Sequence, residues 1–93
     1  MTTKADRRLR DLRGVGKSIA ADLDLLGVRS VDQLARQDGQ RLYLKLCQIS
    51  GSQQDPCVLD VFRCAVAQAQ DPELPREQRD WWWWSRQRKA QSR

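Results

Sequence analysis

The sequence predicts an all-α protein, folded as a compact bundle of five or six short helices. Apolar residues recur at helical spacing along the chain, and no stretch shows the alternation typical of a β-strand. Capping residues, glycines and prolines divide the chain into short segments. At 93 residues it has room for one domain, which we place at residues 1–84, with a basic and disordered tail over 85–93.

Six helices are predicted, and several begin or end at recognisable signals. Ser30, Asp38 and Asp55 suit N-caps, Pro56 suits a first helical position, and Gly27 suits a C-cap. In order, we expect helices over 4–12 and 16–26, one carrying Val31 and Leu34, one with Leu42, Leu46 and Ile49 as its apolar stripe, one over 56–70 that buries Val58, Val61, Phe62, Ala65 and Val66, and a last one from residue 76 towards 84.

The turn between the first two predicted helices is the candidate functional site. Gly14 and Gly16 flank Val15 and can adopt backbone angles forbidden to other residues. Their N–H groups, with those of Lys17 and Ser18, would then lie open at the start of a helix. Such an end attracts anions through its unpaired donors and the helix dipole, so we predict that the turn holds one backbone phosphate of a nucleic acid.

Two alternatives compete for these glycines. The order glycine, Lys17, Ser18 is similar to the end of a phosphate-binding NTPase loop, but that motif needs a glycine where Asp11 stands, and no strand precedes it. The NTPase reading is therefore rejected. The other alternative is purely structural, with Gly14 and Gly16 only allowing two helices to turn tightly and pack closely.

The positive charge is concentrated near the ends of the chain. Residues 1–20 carry six basic and two acidic side chains, residues 21–60 four and six, and residues 61–93 seven and four. The net charge of +5 therefore lies around the glycine turn and towards the C-terminus, which suits a polyanionic partner. Arg8, Arg10 and Arg13 would surround the phosphate with positive field, and Arg13 would join the phosphate contact itself.

Residues 12–34 resemble a known nucleic-acid-binding motif. The stretch GVGKSIAADL followed by LGVRSVDQL resembles the helix-hairpin-helix domains of DNA-repair and recombination proteins. With LYLKLCQISG, DPCVLDVFRCAVAQA and the tryptophan cluster, residues 9–84 resemble a small bacterial family called the pathogenicity-locus family, some of whose members are labelled mitomycin resistance protein. The resemblance implies a SAM-like or DNA-repair N-terminal-domain-like fold and DNA binding without sequence preference.

The sequence departs from the usual hairpin in two places. Arg13 stands where proline or an apolar residue is common, and Ser18 stands where a basic residue is common, with Lys17 one position earlier. The resemblance also implies two hairpins for tight duplex binding. Residues 50–54 are either a degenerate second hairpin or a simple connecting loop. We therefore expect weak DNA binding by a monomer, strengthened by a homodimer or by the basic tail.

Four consecutive tryptophans, Trp81 to Trp84, form the other unusual feature. Residues on a helix point about 100° apart, so one flat interface cannot bury all four. We expect two or three to close a core that otherwise has Tyr43 and Phe62 as its aromatic residues. At least one would stay exposed, to stack on unpaired bases or to contact a partner protein.

The remaining composition points away from catalysis and metals. The chain has no histidine and no CxxC pair. Cys47, Cys57 and Cys64 are best explained as small buried apolar groups in the helices, with a redox or metal role as the alternative. No nucleophile–base arrangement is visible. We therefore expect no catalytic residues, no cofactor and no metal.

Two functions of different class follow from the sequence. The first is a non-catalytic, sequence-independent DNA-binding module, accessory to DNA repair or drug resistance as the resemblance suggests. The alternative is a protein-interaction module that docks through the tryptophan segment. The N-terminus lacks an apolar signal, and no apolar run approaches the ~20 residues that cross a bilayer, so we expect a cytoplasmic protein without a membrane partner.

Overall fold

The computed structural model describes residues 7–91, and within that range the chain forms five α-helices and no strand. A 3₁₀ turn precedes the first helix and another precedes the last. The elements are a 3₁₀ turn at Leu9–Asp11, α1 at Lys17–Leu25, α2 at Val31–Ala35, α3 at Gly39–Ser50, α4 at Pro56–Gln70, a second 3₁₀ turn at Arg76–Arg79, and α5 at Trp81–Gln91. The predicted all-α class is confirmed.

Local capping signals account for most helix boundaries. The side chains of Ser30, Asp38 and Asp55 accept hydrogen bonds from backbone N–H groups at the starts of α2, α3 and α4, as predicted. Helix α1 ends in a Schellman motif, in which Gly27 has φ of +83° and the N–H of Val28 donates to the carbonyl of Leu23 at 2.8 Å.

Helix α4 is central, and packs against α2, α3 and α5. Gly39, at the start of α3, lies so close to α4 that a Cβ atom there would sit 2.8 Å from the backbone of Arg63. The buried core is mainly aliphatic, comprising Leu12, Val15, Leu23, Leu26, Val28, Val31, Leu34, Leu42, Tyr43, Leu46, Phe62, Ala65, Val66 and Ala69. Val58 and Val61 are half-buried, and Ile49, expected in the core stripe of α3, is 47% exposed.

The prediction of a first helix over residues 4–12 is wrong within the described residues. Residues 4–6 lie outside them, and after an extended Arg8 the chain makes only the 3₁₀ turn at Leu9–Asp11. The guanidinium of Arg7 donates to the carbonyls of Gln68 and Ala69 at 2.9 and 3.1 Å, which ties the incoming chain to the end of α4. The Asp11 carboxylate then accepts the N–H of Arg8 at 2.8 Å. These contacts hold the segment before Leu9 outside a helix.

The C-terminal expectations are also corrected. The predicted helix from residue 76 is a 3₁₀ turn that ends at an extended Asp80, and α5 then continues to Gln91 instead of ending near Trp84. Residues 85–91 are therefore helical, and residues 92–93 lie outside the described range. The guanidinium of Arg88 binds the fully buried carboxylate of Asp60 through contacts of 3.0 to 3.2 Å, which fastens this part of α5 to α4.

The tryptophans do not close the core as expected. Trp81, Trp83 and Trp84 are only half-buried and Trp82 is 46% exposed, whereas the buried position of α5 is Ser85. The small Ser85 therefore occupies the buried side of α5, and all four large rings stay at least partly exposed. The expectation that one tryptophan is exposed is confirmed.

Candidate nucleic-acid interface

The glycine turn is anchored by its buried apolar residues. Leu12 and Val15 are both buried, and the N–H of Val15 donates to the carbonyl of Leu12 at 3.2 Å. Gly14, between them, has φ of +87°, a conformation that costs glycine little and other residues more. The turn therefore presents Gly14 and Gly16 at the surface while its apolar residues pack into the core.

The start of α1 has open backbone donors. Gly16 is the N-cap and has no side chain to accept a hydrogen bond, and the first helical bond runs from the N–H of Ala20 to the carbonyl of Gly16 at 2.9 Å. The N–H groups of Lys17 and Ser18 thus have no partner inside the helix. Both residues are exposed, and the first turn holds no acidic side chain. This end of α1 can accept an anion.

A buried glutamine that the sequence analysis missed positions the turn from behind. The N–H of Arg13 donates to Gln68 Oε1 at 2.9 Å, and Gln68 Nε2 donates to the carbonyl of Arg13 at 2.8 Å. One side chain of α4 therefore satisfies both backbone groups of the residue before Gly14. The only sequence signal was a polar residue on the apolar face of α4, between Ala65 and Ala69.

Arg13 lies directly before Gly14 at the glycine turn, but its side chain has a partner within the protein. Its Nε atom forms an ion pair with Asp80 Oδ1 at 2.5 Å, and the side chains are 53% and 16% exposed. Asp80 stands directly before α5. Arg13, which we expected to contact the phosphate, is thus paired with the carboxylate of Asp80, a residue that the sequence analysis did not associate with the turn.

The remaining predicted basic residues border an open groove. Arg8 and Arg10 are exposed and, with Arg7 and Arg29, line a groove of about 750 Å³ between the first 3₁₀ turn, α1 and the start of α2. Two carboxylates share the groove, those of Asp11 and Asp24, and the second pairs with Arg29 at 2.8 Å. The four guanidinium groups outnumber the carboxylates, so the groove is positively charged.

Of residues 50–54, Ser50 is the last residue of α3, and residues 51–54 form a loop that leads to α4. Gly51 has a positive φ of +72°, as Gly14 does, but it ends α3. At the start of α4 the Asp55 carboxylate accepts the N–H of Cys57 at 2.8 Å, and Pro56 has no N–H. That hydrogen bond lowers the pKa of Asp55, whose negative charge would repel a phosphate. The geometry therefore favours the loop over a second anion-binding hairpin.

The tryptophan segment forms two edge-to-face pairs. The ring centroids of Trp81 and Trp82 are 6.0 Å apart, and those of Trp83 and Trp84 are 5.1 Å apart. Trp84 Nε1 donates to the carbonyl of Gln78 at 2.8 Å, which ties the second pair to the preceding 3₁₀ turn. The exposed Trp82 is the ring best placed to meet a ligand.

Comparisons with known proteins identify the family. The Cdd1 family, described as "Pathogenicity locus", matches residues 2–90. The chain belongs to this family. It is also 35% identical, over 89 residues, to the "Mitomycin resistance protein McrB" of Streptomyces lavendulae, covering 96% of this chain and 81% of that protein. No solved structure matches the chain.

The three thiols of this Cdd1-family chain differ in burial. Cys64 is buried, as expected, whereas Cys47 and Cys57 are half-buried, and all three are free. Burial raises the pKa of Cys64 to about 11, and hydrogen bonding to Asp55 is the main cause of the raised pKa of Cys57. Neither of these two thiols is thereby activated as a nucleophile.

Residues 7–91 contain neither a candidate metal site nor a candidate membrane-spanning helix. Among residues 7–91, no group of three or more histidine, cysteine or acidic side chains is arranged to hold a metal ion. The helices of this range include none with both the length and the apolar character needed to cross a membrane.

Proposed function

We propose that this protein is a non-catalytic module that binds DNA through its phosphate backbone, without sequence preference. The observation that carries the proposal is the uncapped start of α1, where glycine replaces a capping side chain and the exposed Lys17 and Ser18 adjoin open N–H groups. A phosphate oxygen would accept from these donors, and the Lys17 ammonium would add a mobile positive charge.

The surroundings of the turn support an extended anionic ligand. Arg8 and Arg10 lie exposed on the 3₁₀ turn that leads into it, so further phosphates of the same strand would meet positive charge. Contacts of this kind fix the position of a nucleic acid and carry no base information. With a single hairpin of this type, we expect weak binding by a monomer.

The biological role that we propose is accessory to DNA repair or drug resistance. The support is the similar Streptomyces lavendulae protein named for mitomycin resistance. We place this proposed role in the bacterial cytoplasm, where the DNA lies.

Fluorescence anisotropy with labelled duplex and single-stranded DNA tests the proposal. We expect the wild-type chain to bind at low salt, and Gly14→Val/Gly16→Val to lose binding because valine is strained at φ of +87° and crowds the open N–H groups. Circular dichroism must show that the variant keeps its helices. Unchanged binding by the folded variant would refute the phosphate site.

A second candidate function is protein interaction through the tryptophan segment. Trp82 favours it, because this large apolar ring is 46% exposed and adjoins the half-buried Trp81 and Trp83. A partner protein or a second copy of this chain would cover it. Acrylamide quenching distinguishes the two functions: a partner on α5 would shield the tryptophan fluorescence and bind with weak salt dependence, whereas binding by phosphate contacts weakens steeply with salt.

A further inference from the structure

The contact between Arg13 and Asp80 joins the glycine turn to the start of α5. Arg13 Nε lies 2.5 Å from Asp80 Oδ1, yet no described residue gives this buried oxygen a well-directed hydrogen bond. The contact is therefore an ion pair of imperfect geometry. Such a pair lacks the directed hydrogen bonds that make guanidinium–carboxylate contacts strong, so an anion that offers them can compete for Arg13.

The backbone of Arg13 is held in place, whereas its side chain is partly exposed. Gln68 holds the N–H and the carbonyl of Arg13, so the backbone of this residue stays in place. The side chain beyond it is 53% exposed. Arg13 directly precedes Gly14 and stands three residues before Gly16, the N-cap of α1, so its side chain begins close to that helix start along the chain.

We propose that Asp80 is an internal competitor of phosphate for Arg13 and thereby restrains binding at the glycine turn. The inference rests on the proposed function and deepens it. While Asp80 holds Arg13, the turn offers Lys17 and the open N–H groups but not the adjacent guanidinium. The ligand is a phosphodiester, whose two non-bridging oxygens share one negative charge and match the planar guanidinium in a bidentate pair.

The position of Asp80 provides a second partner for its carboxylate once Arg13 leaves. Asp80 has extended backbone angles and directly precedes α5. This is the position from which aspartate side chains cap helices by accepting N–H groups of the first turn. Among the described residues no such bond to its side chain is formed. Release of Arg13 therefore frees Asp80 to cap α5, which partly offsets the loss of the ion pair.

Substitutions that remove the negative charge of Asp80 test this competitor role. Asp80→Asn removes the competing charge and keeps a capping side chain, and Asp80→Ser is a second variant with the same properties. Glu77→Gln is the matched control, because it removes one negative charge from an exposed residue of the preceding 3₁₀ turn, whose side chain has no described partner. Binding of each full-length variant to a labelled duplex is measured by fluorescence anisotropy across a salt series.

We expect both Asp80 variants to bind about two- to fivefold more tightly than Glu77→Gln at low salt. The slope of log affinity against log salt should steepen by about 0.9, the contribution of one additional phosphate contact. Arg13→Gln in the Asp80→Asn background should remove both gains. Urea unfolding and circular dichroism establish that each compared variant is folded.

The possible failures are separable. Asp80 variants that bind no better than Glu77→Gln, while wild-type binding still depends on Lys17, overturn the competitor role and leave the phosphate site intact. Gains at Asp80 that persist without Arg13 also overturn it, because they would show general charge repulsion. Absence of DNA binding by the wild type and all variants removes both the proposed function and this inference.

Discussion

At the scale of single residues, Gln68 shows how a buried polar side chain shapes a surface site. Its amide satisfies both backbone groups of Arg13, and buried polar groups that lose such partners are costly. We predict that Gln68→Ala lowers the free energy of unfolding by roughly 1–3 kcal/mol and loosens the turn. Urea unfolding measures the loss, with Gln70→Ala as control, because the exposed Gln70 side chain makes a single hydrogen bond within residues 7–91, to the carbonyl of Ala35 at 3.0 Å. Equal losses would contradict the assigned role of Gln68.

Cys64 gives a second prediction at this scale. Its pKa rises from 9.0 to about 11 in the fold because burial disfavours the thiolate. Above pH 9 the unfolded chain loses this proton before the folded chain does, so the stability contribution is complete below pH 9 and is lost as the pH rises towards 11.

Cys64→Ala should therefore be less sensitive to alkaline pH than the wild type. The measurement is the free energy of unfolding in urea between pH 8 and about 11, the range set by the two pKa values. Tyr43 and Cys57 also have raised pKa values, and they contribute to both proteins alike. An identical alkaline decline in the two proteins would exclude a role for the Cys64 thiol.

At the scale of elements, the contact between α3 and α4 depends on the absence of a side chain at Gly39. Alanine normally favours a helix over glycine by up to about 1 kcal/mol. Here its Cβ atom would lie 2.8 Å from the backbone of Arg63, which cannot move aside without shifting α4. Overpacking costs about 1–3 kcal/mol and should outweigh the helix preference.

We therefore predict that Gly39→Ala destabilises the protein, as measured by thermal or urea unfolding. The control is Gln40→Ala, the next residue of α3, whose side chain is exposed and whose substitution changes no packing. A Gly39→Ala protein as stable as wild type or more so would show that the two helices separate easily.

The same scale shows which elements could be predicted from the sequence. Ser30, Asp38 and Asp55 cap helices through neighbours two or three residues away, so their signals are local. The absence of the first expected helix from the described residues depends on Arg7, which reaches carbonyl groups 61 and 62 positions later. The extension of α5 likewise depends on a pair 28 residues apart, Asp60 and Arg88. No local pattern encodes such contacts.

The candidate site likewise combines residues that a local pattern predicts with residues that only tertiary packing brings to the turn. Gly14, Gly16 and Lys17 were predicted because the spacing of glycines before a helix is visible in the sequence. Gln68 and Asp80 were missed because they reach the turn only after α4 and α5 pack. The 100° spacing of helical residues predicted that at least one tryptophan is exposed, and Trp82 is 46% exposed. The partial exposure of the other three tryptophans was not predicted, because it depends on which side of α5 faces the core, and the buried residue of that helix is Ser85.

At the scale of the whole molecule, the proposed function depends on where positive charge lies more than on its total. The chain carries a net charge of +5, so any lysine would attract DNA weakly over a long range. A phosphate site at the glycine turn makes Lys17 special among the lysines. Lys45 provides the comparison, since it is exposed on α3 and lies outside the turn.

The most direct test of this account compares Lys17→Glu with Lys45→Glu in DNA anisotropy titrations across a salt series. Both substitutions change the net charge by the same amount and lie at exposed positions. The account predicts that Lys17→Glu abolishes most binding at low salt and flattens the salt slope by about one phosphate contact, whereas Lys45→Glu has a small effect. Equal effects of the two substitutions, or none, would contradict a phosphate site at the start of α1.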